Sequence, residues 1–107
     1  MMTHLYAGPD GVSRFKDLAP AQGASAAQAA KDVTFTKVAS GTDRGWITPG
    51  YRHYVFFMAG QTEIGVGDGT KKVFNPGDVL LIDDLTGKHT SRVLPGTDRM
   101  SMHVQMA

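Results

Sequence analysis

Turn signals punctuate this chain about every eight to ten residues from residue 33 onward, and that spacing leaves no room for helices between strands. Gly60, Asp68-Gly69, Asn75-Pro76-Gly77, Thr86-Gly87 and Pro95-Gly96 each close an apolar or alternating run. Asp-Gly favours a tight hairpin because both residues tolerate positive φ. Between the turns, Val33–Ala39 alternates, Tyr54–Ala59 is apolar throughout, and Val79-Leu80-Leu81-Ile82 forms a second apolar run. Such runs predict strands buried on both faces. A parallel crossover takes a dozen or more residues, so from residue 33 onward an antiparallel barrel or sandwich is expected rather than a parallel sheet.

The first 32 residues differ. Gly8-Pro9-Asp10-Gly11 marks a turn, and residues 19–30 are mostly Ala with Gln, Ser, Gly and one Pro. That stretch carries no stripe of large apolar side chains, so it predicts a loop with at most one helical turn. The expected organisation is an N-terminal arm, residues 1–32, packed on a β-barrel domain, residues 33–107. A chain of 107 residues makes one domain.

Composition excludes several functions. Eleven basic residues against ten acidic ones give no field that would attract nucleic acid or an anionic membrane. Without cysteine there is no disulfide, zinc finger or thiol catalysis. No apolar run is long enough to cross a membrane, and the Met1–Tyr6 start has no basic, then apolar, leader pattern. The expected compartment is the cytoplasm.

Pro76-Gly77-Asp78, the buried run Val79–Asp83 and His89 after Thr86-Gly87-Lys88 together resemble the second motif of a cupin, and Gly60 is similar to the close of the first. The resemblance spans roughly residues 33–106. It extends to a bacterial subgroup of small cupins whose histidine loop reads Thr-Gly-Lys-Gly-His; here the loop is one residue shorter. It implies an antiparallel jelly-roll barrel with an N-terminal arm. It also implies a metal site, but counting back from Gly60 puts His53 at the family's glutamate position and Ile47 and Pro49 at its two histidine positions. A divalent transition metal, if held, would rest on His53 and His89, and no cofactor is firmly implied.

In a barrel, His53, Val55 and Phe57 share the lumen face by period two, with Tyr51 on the same parity. His89 and Ser91 line the neighbouring wall, and Trp46 is placed to cap the cavity. His53, His89 and Tyr51 are the candidate catalytic groups, able to act as acid and base near neutral pH. Trp46, Val55, Phe57, Ser91 and His103 are candidate ligand contacts. Met100, Met102, Val104 and Met106 alternate with Arg99, Ser101, His103 and Gln105, and the polar set is expected to face solvent unless that face is the lumen. Asp83 and Asp84 are expected to form a turn.

These readings point to a small organic molecule bound in the lumen, acted on by a lyase, isomerase or dehydratase using a histidine pair. The alternatives are a ligand-binding or structural cupin without turnover, and a weak metal-dependent oxygenase. The Tyr54, Phe56 and Met58 face needs a cover, and small cupins commonly pair through such a face, so a homodimer is expected.

Overall fold

The computed structural model describes residues 1–20 and 22–107. Ala21, inside the Ala-rich stretch expected to loop or turn, lies outside the described residues. Ten strands run in order: β1 (Met2–Ala7), β2 (Ser13–Asp17), β3 (Ala30–Val38), β4 (Asp43–Ile47), β5 (His53–Ala59), β6 (Thr62–Gly65), β7 (Lys71–Phe74), β8 (Val79–Asp83), β9 (His89–Val93) and β10 (Arg99–Met106). Among the described residues there is no helix, so none is long and apolar enough to cross a membrane.

The strands form two sheets. One has six strands in the order β2-β1-β8-β5-β10-β3, and the other has four in the order β4-β9-β6-β7. The sheets face each other as a jelly-roll-like sandwich that does not close into a barrel. The predicted turns sit where local chemistry puts them. Asp68 Oδ1 accepts from the Thr70 amide and Gly69 takes a positive φ, closing the loop between β6 and β7. Asp78 Oδ2 accepts from the Asn75 amide and caps the turn before β8.

From β3 to β10 every strand pairing is antiparallel, as expected. The N-terminal residues add a parallel one: β1 pairs with β8, from Met2↔Val79 to Tyr6↔Asp83. No crossover helix is needed, because these strands come from opposite ends of the chain and are not consecutive. The N-terminal residues therefore do more than lie across a surface. They supply a β1–β2 hairpin, turned at Gly8–Gly11, that extends the sheet. No helical turn occurs among the described residues of the Ala-rich segment.

The core is the pleat of both inner faces. Leu5, Val55, Phe57, Leu80 and Ile82 from the larger sheet meet Ile64, Val66 and Phe74 from the smaller side. Phe57 stacks on Phe74 with ring centroids 5.3 Å apart. Burying side chains of this size contributes about 1.5–3 kcal/mol each.

The outward face of β5 is less covered than a doubly apolar strand suggests. Tyr54 and Phe56 are half-buried, and Tyr54 donates its hydroxyl to Gln28 of the preceding segment at 3.0 Å. Beyond them, Val33, Phe35, Met58 and Met100 are exposed, Phe35 at 71%. This apolar strip across β3, β10 and β5 motivates an expected homodimer built on isologous contact. Light scattering at tens of micromolar should give twice the chain mass, and Phe35→Lys should halve it. A parent chain that scatters as a monomer removes the idea.

Candidate functional site

A cavity of about 220 Å³ lies between the sheets at one end of the sandwich. Val55, Phe57, Ile64, Leu80 and Ile82 make its apolar walls. His53, His89, His103, Ser91, Arg44 and Arg99 bring polar groups to it. Pairing explains the convergence. His53 lies beside Ile82 across β5–β8 and beside Gln105 across β5–β10. His103 sits opposite Val55, whose side chain points inward, so the face of β10 carrying Arg99, Ser101 and His103 is the inner one. The expectation that this face meets solvent is thus reversed. The methionine face instead joins the outward Tyr54–Phe56–Met58 side, and a register shift between Met100 and Ser101 fits the two strands together.

His89 is 2% exposed and its Nδ1 lies 2.8 Å from Asp84 Oδ2. Ser13 Oγ donates to the same carboxylate oxygen at 2.7 Å. Asp84 is fully buried, so the adjacent pair Asp83-Asp84 is more than a turn. Asp83 keeps to the edge, 2.9 Å from His4 Nε2 and 3.5 Å from Arg52 Nε. A carboxylate accepts only, so Nδ1 carries the proton in the Asp84–His89 contact and Nε2 is the atom free for chemistry. Ser13 bonds the carboxylate and not the ring, so this is no nucleophile–base–acid order. Gly87 makes the approach feasible, since a Cβ there would collide with Ser13 Oγ and crowd the Gly11 carbonyl.

His53 donates Nδ1–H to the Tyr51 carbonyl at 3.0 Å, which also leaves its Nε2 as a free base. Burial is the main cause pushing the His53 pKa below the usual imidazole range, with the nearby His89 adding to it. His103 bonds Ser101 Oγ through Nε2 at 2.9 Å and stacks on His53 with centroids 5.5 Å apart. Burial, then His53, Arg99 and Arg44, holds its pKa down to about 4. Both rings are therefore neutral at pH 7.

The other sequence-derived residues divide. Tyr51 stands at the mouth, its ring 4.9 Å from that of His53. Val55, Phe57 and Ser91 line the cavity. Trp46 does not: it is 53% exposed on the opposite face of the four-stranded sheet, with Lys88 Nζ 5.6 Å from its ring. Between Asp43↔Arg92 and Trp46↔Thr90, two residues of β4, Arg44 and Gly45, oppose one of β9, Ser91, with Gly45 at φ 63°. That bulge turns Arg44 and Ile47 inward and Trp46 out, into an open trough with Glu63, Lys71 and Arg92. Sequence reasoning missed Asp84, Ser13, Arg44 and Arg99 as site residues. Only Arg99 carried a signal, its shared parity with His103.

Ile47 and Pro49 line the cavity without a ligand atom. Among the described residues no three His, Asp or Glu side chains come close enough to share one ion.

No family model matches this chain, and no curated protein matches it in sequence. Solved structures do match its fold. The crystal structure of protein NMB1881 from Neisseria meningitidis aligns with TM-score 0.58 at 17% identity, covering 70% of this chain and 72% of that one. The solution structure of a de novo designed double-stranded β-helix aligns with TM-score 0.51 at 24% identity, covering 70% of this chain and 99% of the design. At these identities the likeness is one of fold. This chain has a cupin-like, double-stranded β-helix architecture.

Proposed function

We propose that this chain is a small cupin that binds a compact organic molecule between its sheets and moves a proton on it. The observation that carries the reading is the buried Asp84–His89 pair in the wall of an apolar cavity. Asp84 orients the imidazole and stabilises the imidazolium that forms when Nε2 takes a proton. One base suffices. His89 removes a proton from a carbon beside a carbonyl and returns it to another carbon, which is isomerisation. Returned instead to a departing hydroxyl, the same proton completes a dehydration. His53, neutral and 8% exposed, adds a second acceptor without adding charge.

Exchange in D2O tests this directly. Pyruvate, acetoacetate and 3-hydroxybutyrate are incubated with the protein and followed by proton NMR. Loss of a C–H signal is expected for at least one of these acids, slowed about 10²–10⁴-fold by His89→Gln. Exchange no faster than in buffer, or unaffected by the substitution, would end the catalytic reading.

Metal removal gives a separate expectation. Two histidines with water hold a divalent ion weakly, so purified protein should carry well under one transition metal per chain. His53→Ala and His89→Ala should each remove that residue of binding without unfolding the chain. Elemental analysis after dialysis against a chelator decides it, and one retained ion per chain would mean a ligand has been overlooked.

A further inference from the structure

Arg99 is a buried cation without a counter-charge. It is 6% exposed, and its Nε is buried with no hydrogen-bond partner. Among the described residues every ion pair uses another cation: Asp98, its own sequence neighbour, engages Lys37 and the Ser40 amide instead. A second guanidinium, Arg44, enters the same cavity through the Gly45 bulge. The imidazoles beside them are neutral or committed to Asp84. A guanidinium stays charged in proteins, so it cannot escape burial by losing its proton. An uncompensated buried charge strongly opposes folding, and a second like charge makes it worse. Burial, then Arg44, pulls the Arg99 pKa below its ordinary value, which reports the same tension.

We propose that Arg99, assisted by Arg44 at the rim, is a carboxylate-binding subsite, so that the molecule taken into the cavity is a compact organic acid. The assignment rests on the ligand-binding reading above and names its chemical class. The planar fork of Arg99 matches a carboxylate, and the apolar walls of Val55, Phe57, Ile64 and Leu80 receive the carbon chain. The cavity, at about 220 Å³, is smaller than the roughly 300–1,000 Å³ of pockets for drug-sized ligands, which suits an acid of a few carbons. Two guanidiniums, one buried and one exposed at the rim, balance the two charges of a small dicarboxylate, and each planar fork matches a planar head group. A phosphate dianion would call for further donors, and the chain offers it no helix N-terminus among the described residues.

Calorimetric titration of the parent, Arg99→Met, Arg44→Met and His89→Gln with malonate, its neutral diamide malonamide, and inorganic phosphate tests the proposal. Malonate should bind the parent, while malonamide and phosphate bind at least 100-fold more weakly. Arg99→Met should lose malonate binding at least 100-fold and Arg44→Met about tenfold. Arg99→Met should also melt higher than the ligand-free parent, because an unpaired buried charge is gone; this confirms that the variant is folded. Malonamide or phosphate binding as tightly as malonate, or Arg99→Met binding malonate like the parent, overturns the proposal. His89→Gln should lose proton exchange and keep malonate binding. In the parent, failure of proton exchange with malonate binding intact removes the catalytic reading and leaves the subsite standing. Proton exchange by a parent that does not bind malonate would do the reverse.

Discussion

Asp84→Ala should lose roughly 2–5 kcal/mol of stability, although Asp84 lies outside every strand. The carboxylate is fully buried and one oxygen, Oδ2, serves two donors, Ser13 Oγ and His89 Nδ1. Alanine strands both in a dry interior, and each unsatisfied donor costs about 1–3 kcal/mol. The damage also reaches across the chain, because Ser13 opens β2 and Asp84 follows β8. The contact ties the N-terminal hairpin to the loop that carries His89. Urea unfolding should show a midpoint lower by roughly 2 M if the slope stays near that of a small domain. Asp84→Asn keeps an acceptor for both donors and should recover more than half of the loss. It removes the charge that stabilises an imidazolium, so it should still slow proton exchange as His89→Gln does. An alanine variant within about 1 kcal/mol of the parent would show that this network does not hold the loop.

What the sequence discloses here is local, and what it conceals is long-range. The hairpin at Asp68-Gly69 and the turn at Asn75–Asp78 are made by side chains capping backbone two or three residues away, so the residues announce them. The alternation of β5 and β10 is equally plain. Alternation separates two faces without saying which points inward, and the polar face of β10 is the inner one. Pairing with Val55 and Phe57 decides that, and it brought His103 and Arg99 into the site together. The inward turn of Arg44 and outward turn of Trp46 depend on a one-residue bulge at Gly45, which reverses parity and has no signature beyond a glycine. The β1–β8 pairing and the Ser13–Asp84 contact join residues more than seventy positions apart. No local pattern encodes them. The His53–His89 pair was legible because a histidine after a Pro-Gly-Asp turn and an inward parity on β5 are both short-range features.

Acidification from pH 7 to 4.5 should destabilise the chain, and His103 should be the main reason. In the fold its pKa is held at about 4, against 6.5 for a free imidazole. Between those values the unfolded chain binds a proton that the folded chain refuses, so stability rises with pH across the window and is lost as pH falls through it. The first cause is burial, followed by the charges that face the ring: His53 stacked upon it, then Arg99 and Arg44. His53 is shifted in the same direction and adds to the slope. Full development of the His103 shift corresponds to roughly 2–3 kcal/mol once partial exposure of the ring is allowed for. The depressed carboxylates Asp68 and Asp78 act at lower pH, below their ordinary value of 3.8, and leave this window to the histidines. Urea midpoints measured at pH 7.0, 6.0, 5.0 and 4.5 should fall steadily for the parent. His103→Gln, which keeps a partner for Ser101 Oγ but cannot titrate, should fall about half as much. Equal slopes for parent and variant would show that the acid-sensitive group lies elsewhere. Saturating malonate should make the parent's dependence shallower, since an anion beside Arg99 and Arg44 cancels part of the field that keeps His103 from taking its proton and so moves its folded pKa back toward 6.5.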